Sequence, residues 1–143
     1  MRPPCSTIRQ MEPELDYAFL ADYATVAGDR LTAVGASFTR LTAASVPTQI
    51  PFSLAARIRA SADDEDFPLE VRVTSPDEQL DIATEFTVSP SDAEHPYGDD
   101  RRVGVLITLS LNMPMPSFGL YTVRLLIKGR EVRDLKFQLL PEG

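Results

Sequence analysis

The sequence FSLAARIRA, residues 52–60, decides the fold class because its apolar residues fall on every second position. Phe52, Leu54 and Ile58 share one face with two alanines, whereas Arg57 and Arg59 lie on the other face. A period of two is that of a β-strand with one face in an apolar core and one face in water. The stretch therefore predicts a half-buried strand.

The same alternation recurs along the C-terminal part of the chain, in residues 69–73, 80–88, 103–111, 121–127 and 135–139. Residues 15–27 are apolar on both faces, which predicts a central strand covered on both sides, with a helix as the competing interpretation because alanine and leucine favour helices. A Thr- and Val-rich strand over residues 31–41 follows, and Gly35 inside it indicates a bulge or a close backbone approach. The sequence therefore predicts an all-β protein of about eight strands.

A tyrosine near the C-terminus favours a sandwich over a barrel. Phe118-Gly119-Leu120-Tyr121 opens the penultimate strand, where immunoglobulin-like domains place a tyrosine whose hydroxyl bonds back to a nearby loop. A plain buried core tyrosine is the alternative. We therefore predict an antiparallel, immunoglobulin-like β-sandwich.

Residues 15–41, LDYAFLADYATVAGDRLTAVGASFTRL, combine an aromatic- and Ala-rich strand, a glycine turn and a second strand with an internal glycine. Together with the Gly119-x-Tyr121 strand and the Gly129 hairpin, this stretch resembles a family of small uncharacterised bacterial proteins. The resemblance implies a bacterial source and an immunoglobulin-like sandwich, and it transfers no catalytic residue.

Length and composition indicate one domain and exclude several partner classes. The chain has 143 residues, which suits a flexible tail over residues 1–14 and a single domain over residues 15–141. One cysteine, Cys5, and no apolar signal or transmembrane run predict a cytoplasmic protein. A net charge of −7 argues against nucleic acid and anionic membranes as partners.

The sequence offers little for catalysis. His95 is the only histidine and lies in a Pro- and Gly-containing loop. The sequence contains no nucleophile motif whose serine or cysteine His95 could activate. Clustered Cys and His for zinc and a phosphate-binding glycine loop are both missing. We therefore predict no catalytic residues and no cofactor, although an enzyme using Asp and Glu pairs stays open as a third hypothesis.

Two acidic connections should share one end of the sandwich, because antiparallel strands reverse direction at each loop. Residues 62–66 (ADDED) and 91–102 (SDAEHPYGDDRR) carry six of the seven net negative charges, and the Asp29-Arg30 turn is expected beside them. This acidic end has three interpretations: solvating loops, a docking surface for a basic partner, or a calcium site. The candidate calcium ligands are Asp63, Asp64, Asp66, Asp99 and Asp100.

The opposite end is predicted to carry an uncharged loop with alternating methionine and proline. Met113, Pro114, Met115 and Pro116 form a candidate partner site if the methionines are exposed, and they cap the core if they are not. We therefore expect a noncatalytic module of the bacterial cytoplasm that binds a protein partner or forms a homo-oligomer. The alternative is a domain that binds calcium or a small ligand through the acidic loops.

Overall fold

Ten β-strands and one short 3-10 turn, Pro90–Asp92, make up the regular structure in a computed structural model that describes residues 12–93 and 95–143. The strands are β1 Glu14–Ala21, β2 Tyr23–Ala27, β3 Arg30–Val34, β4 Arg40–Ala43, β5 Thr48–Ser61, β6 Phe67–Thr74, β7 Asp81–Val88, β8 Arg102–Met115, β9 Gly119–Ile127 and β10 Arg130–Pro141. The described residues form no helix long and apolar enough to cross a membrane.

The strands form two packed sheets and one additional hairpin. The first sheet has the order β1-β5-β8, the second sheet has the order β4-β10-β9-β6-β7, and β2 pairs with β3 alone. All pairs are antiparallel except β4 with β10. The predicted antiparallel sandwich is therefore confirmed, with one parallel pair at its edge.

The first third of the chain differs from its prediction, because each of two predicted strands is divided in two. The break after β1 falls at Asp22, and the break after β3 falls at Gly35, which has a φ of +64°. The hairpin of β2 and β3 then turns back and contacts β5 and β8 of the first sheet. This accounts for the two-sided apolar pattern of residues 15–27, although β1 is an edge strand and not a central one.

The core fills the space between the two sheets, and its centre is a cluster of aromatic rings. Phe52, Phe137 and Phe38 meet edge to face at centroid distances of 5.4 to 5.8 Å, and Tyr121 stacks on Phe137 at 5.2 Å. The Tyr121 hydroxyl donates a hydrogen bond of 2.7 Å to the carbonyl oxygen of Ser117. The predicted tyrosine corner is therefore confirmed.

The observed strands span Glu14 to Pro141, close to the predicted domain of residues 15–141. Of the predicted tail, residues 1–11, including Cys5, lie outside the described residues. Its last part packs on the domain: Pro13 is buried and the Glu12 carboxylate lies 3.6 Å from Lys128 Nζ. Residues 12–14 therefore belong to the domain.

Candidate functional site

The acidic connections lie together at one end of the sandwich, as loop parity predicts. The backbone N–H of Ala62 donates to the carbonyl of Arg101 at 2.9 Å, which joins the two acidic loops directly. The hairpin turn reaches the same end, because Asp29 lines a surface cleft together with Asp92. The turn between β2 and β3 reaches the acidic end because this hairpin folds back over the first sheet.

The five candidate calcium ligands do not converge. Asp63 lies 3.9 Å from Arg101 Nε, Asp100 accepts a 3.0 Å bond from Arg102 Nε, and Asp64 accepts from the backbone of Ser61. Within residues 12–93 and 95–143, no group of three or more Asp, Glu, His or Cys side chains is arranged to hold a metal ion. Calcium takes six to eight oxygen ligands, and no three of the five candidate carboxylates are grouped to supply them.

His95 stays exposed in its loop and lines a cleft with Tyr17, Arg57 and Tyr97. The described lining of that cleft includes no serine, threonine or cysteine that a histidine base could activate. Arg57 in the same place pairs with Asp16, and its guanidinium lies 5.8 Å from the centroid of the Tyr97 ring. The contact anchors the loop after β7 to the outer face of the first sheet.

Met113, Pro114 and Met115 belong to strand β8 and not to a loop, which corrects the prediction; Pro116 follows the strand and is partly buried. Met113 and Met115 are 6% and 1% exposed and pair with Ile50 and Thr48 of β5, so both side chains point into the core. The core-capping interpretation therefore holds, and the methionines are not available on the surface. Pro114 is exposed between them. Its ring nitrogen faces away from β5, so it removes no hydrogen bond from the ladder.

A different surface stands out on the side of the sandwich where β7 and β8 end the two sheets. The inner-face residues of β5 from Phe52 to Ala60 are buried, but four inward-facing residues of β8 are only partly buried. Ile82 of β7 is 37% exposed, and Phe86 lines a cleft with Ile107. We call this surface the open side, and its β8 residues are Val105, Ile107, Leu109 and Leu111.

The two edge strands of the open side differ in charge. β7 carries Asp81 and Glu85, both exposed. No charged residue stands between Arg102 and Arg124, so the whole of β8 after its first residue is uncharged. Sequence reasoning identified this strand from its alternation but did not identify it as an edge, because strand order is set by pairing between distant segments.

The outer face of the second sheet is polar, and its charges are compensated. Arg72 lies within 3.6 Å of both Glu70 and Asp81, and Arg124 lies 3.5 Å from Glu131. A surface of paired charges is well solvated without a ligand. The open side is therefore the stronger candidate for a functional surface.

Solved structures share this fold. An immunoglobulin-like protein from Pseudomonas aeruginosa is 12% identical with a TM-score of 0.54, and the match covers 92% of this chain and 98% of that protein. The alkylpurine DNA glycosylase AlkC from Pseudomonas fluorescens, solved bound to DNA containing an abasic site analogue, is 9% identical with a TM-score of 0.54. That match covers 94% of this chain and 32% of the glycosylase chain. Both similarities concern the fold alone.

Comparison with curated proteins found no similar sequence. The profile of a family of unknown function, DUF6941, matches residues 16–140, which is nearly all of the sandwich. This agrees with the resemblance to an uncharacterised all-β family. The chain therefore belongs to the family of unknown function DUF6941.

Proposed function

We propose that this chain is a noncatalytic module of the bacterial cytoplasm that binds a protein partner, or a second copy of itself, through the open side of the sandwich. The observation that carries the proposal is an edge strand, β8, that is uncharged after Arg102 and whose inward-facing residues on the open side are only partly buried.

An unprotected edge strand is costly for a protein that works alone. Unpaired backbone groups and exposed apolar side chains attract other strands, and natural sheets guard such edges with charges, bulges or a covering segment. β7 follows that rule through Asp81 and Glu85, whereas β8 pairs with β5 over 14 residues without a bulge or a charge after Arg102. A strand of this kind is suited to being covered by a partner.

The chemistry of the remaining surface supports a binding role over a catalytic one. At the acidic end Asp63 and Asp100 pair with Arg101 and Arg102, and the described lining of the cleft beside His95 includes no serine, threonine or cysteine. A general acid-base pair needs carboxyl groups that converge on one cleft. The apolar edge is a better match to protein binding.

The test compares Ile82→Lys on the open side with Val34→Lys on the hairpin, where Val34 is 57% exposed. Molecular mass by light scattering reports self-association, and quantitative capture from the native host reports a partner. We expect Ile82→Lys to weaken the association by about tenfold or more, because it places a charge in an apolar contact, and Val34→Lys to leave it unchanged. A monomer without a partner, or an association that tolerates Ile82→Lys, would refute the proposal.

A further inference from the structure

The free edge of β8 presents unpaired backbone groups at every second residue. Arg102 and Tyr97 exchange two backbone hydrogen bonds, of 2.8 and 3.0 Å, on the side of β8 that faces away from β5. The N–H and C=O of one strand residue point to the same side, and that side alternates along the strand. Because β8 pairs with β5 in unbroken register, five further residues present both groups to the free edge: Gly104, Leu106, Thr108, Ser110 and Asn112.

These groups have no backbone partner within the described part of the chain, where β8 pairs with β5 and, at Arg102 alone, with Tyr97. The backbone of an extended segment beside β8 could therefore hydrogen-bond to these N–H and C=O groups at the spacing of a β-ladder. Main-chain bonds of this kind supply affinity in strand addition, and pockets for alternate side chains supply selectivity.

The edge lies in a groove with two walls. On the outer side, Val26 and Gly28 of the hairpin line a cleft with Leu106. On the inner side, Phe86 of β7 lines a cleft with Ile107. Both clefts include Ser89, Asp92 and Val105, so they are two parts of one groove along β8.

The walls define the chemistry of an occupant. Side chains that point inward from an added strand would meet Phe86 and Ile107, which favours apolar residues at alternate positions. Asp92 and Asp29 flank the end of the groove next to the acidic loops, and both are exposed; Asp29 lies 3.9 Å from Arg30 Nε, whereas Asp92 has no ion pair in the described part of the chain. Carboxylates at this position favour a cation on the partner.

From this arrangement we propose that β8 binds an extended peptide segment of another protein as an added antiparallel strand, with alternating apolar residues and Lys or Arg near one end. The inference rests on the proposed function and adds the binding mode and the chemistry of the partner. A second copy of this chain would bring a β8 that is uncharged after Arg102, and it would place no cation opposite Asp92. A basic peptide is therefore the better complement.

The experiment pans a phage-displayed library of random twelve-residue peptides against the full chain and measures the affinity of the enriched peptides. Ser110→Pro removes an N–H that faces the free edge and leaves pairing with β5 intact, because proline is tolerated where the nitrogen of an edge strand faces solvent. We expect enriched peptides to show the alternating pattern with Lys or Arg, and to bind Ser110→Pro at least about tenfold more weakly. Ser110→Ala is the matched control and keeps full affinity. Asp92→Asn weakens binding and reduces its salt dependence.

The outcomes separate the binding mode from the general function. If Ser110→Pro does not fold, an enriched peptide methylated at alternate backbone nitrogens makes the same test from the ligand side and must lose binding. Failure to enrich any peptide, or peptides that bind Ser110→Pro as well as the parent, would overturn strand addition. A dimer that Ser110→Pro converts to a monomer would place a second copy on the edge and also overturn it. Association that is lost with Ile82→Lys but kept with Ser110→Pro leaves the proposed function standing without this inference.

Discussion

The side chain of Asp22 occupies the space in which a side chain on Gly35 would begin. A Cβ atom built on Gly35 would overlap Asp22 Oδ2, far inside van der Waals contact. These two residues mark the ends of β1 and β3, and the backbone N–H of Asp22 donates to the carbonyl of Val34 at 2.9 Å. The close approach is what lets the hairpin of β2 and β3 leave the first sheet and return over it.

Gly35→Ala should destabilise the domain more than Gly28→Ala. Both glycines have φ near +64°, which costs a side-chain-bearing residue about 1 kcal/mol, but a Cβ on Gly28 meets nothing within 4 Å. We expect the overlap with Asp22 to cost Gly35→Ala about 1 kcal/mol more in urea unfolding. The excess should vanish in an Asp22→Ala background, and equal costs for the two glycines would contradict the close approach.

Tyr121→Phe tests the tyrosine corner. The ring is 1% exposed, and its hydroxyl donates to the Ser117 carbonyl, so its removal leaves that acceptor without its hydroxyl donor. We expect a loss of about 1 to 2 kcal/mol in the free energy of unfolding. Tyr23→Phe, at a residue that is 56% exposed, should change the stability by less than about 0.5 kcal/mol. Equal effects of the two substitutions would show that the hydroxyl bond contributes nothing.

Strand positions could be predicted from the sequence because alternation is a local property of each segment. The run from Phe52 to Ala60 and the run from Val103 to Leu111 both gave strands that the structure confirms. Strand order could not be predicted in the same way, because Val103 to Leu111 would show the same alternation in a central strand. The break at Asp22 was also missed, because residues 15–27 are apolar on both faces on each side of it.

The candidate site was predicted in part. Loop parity correctly brought residues 62–66 and 91–102 to one end, because that rule needs only alternating strand direction. The methionines were assigned to a loop, since prolines at 114 and 116 suggested that the strand had ended. The edge of β8 was missed, although the lack of charge between Arg102 and Arg124 was a usable signal.

Met115→Ala tests whether the methionine segment belongs to the core. Met115 is 1% exposed and lies among the buried residues between the sheets, so truncation leaves a cavity. We expect a loss of about 2 to 4 kcal/mol, measured by urea unfolding. Asn112→Ala, at an exposed position of the same strand, should cost less than about 0.5 kcal/mol. A small loss of unfolding free energy for Met115→Ala would show instead that the methionine segment lies on the surface.

Asp77 should make stability depend on pH in the acidic range. The Ser75 hydroxyl donates to its carboxylate at 2.8 Å, and together with the backbone N–H of Gln79 this lowers the pKa of Asp77 below its ordinary value of 3.8. A carboxyl group whose pKa is lower in the folded state stabilises the fold above its unfolded pKa, and this stabilisation is lost as the pH falls through the folded pKa.

We therefore expect Asp77→Asn to be less stable than the parent at pH 7, and the difference to shrink as the pH falls below about 4, in urea unfolding at a series of pH values. Ser75→Ala should reduce the pH dependence in the same way, because it removes the largest cause of the lowered pKa. Ser75 also accepts a 3.0 Å bond from the N–H of Leu80, so this variant should lose further stability at every pH. A difference between parent and Asp77→Asn that stays constant from pH 7 to pH 3 would rule out the hydrogen-bonded carboxylate.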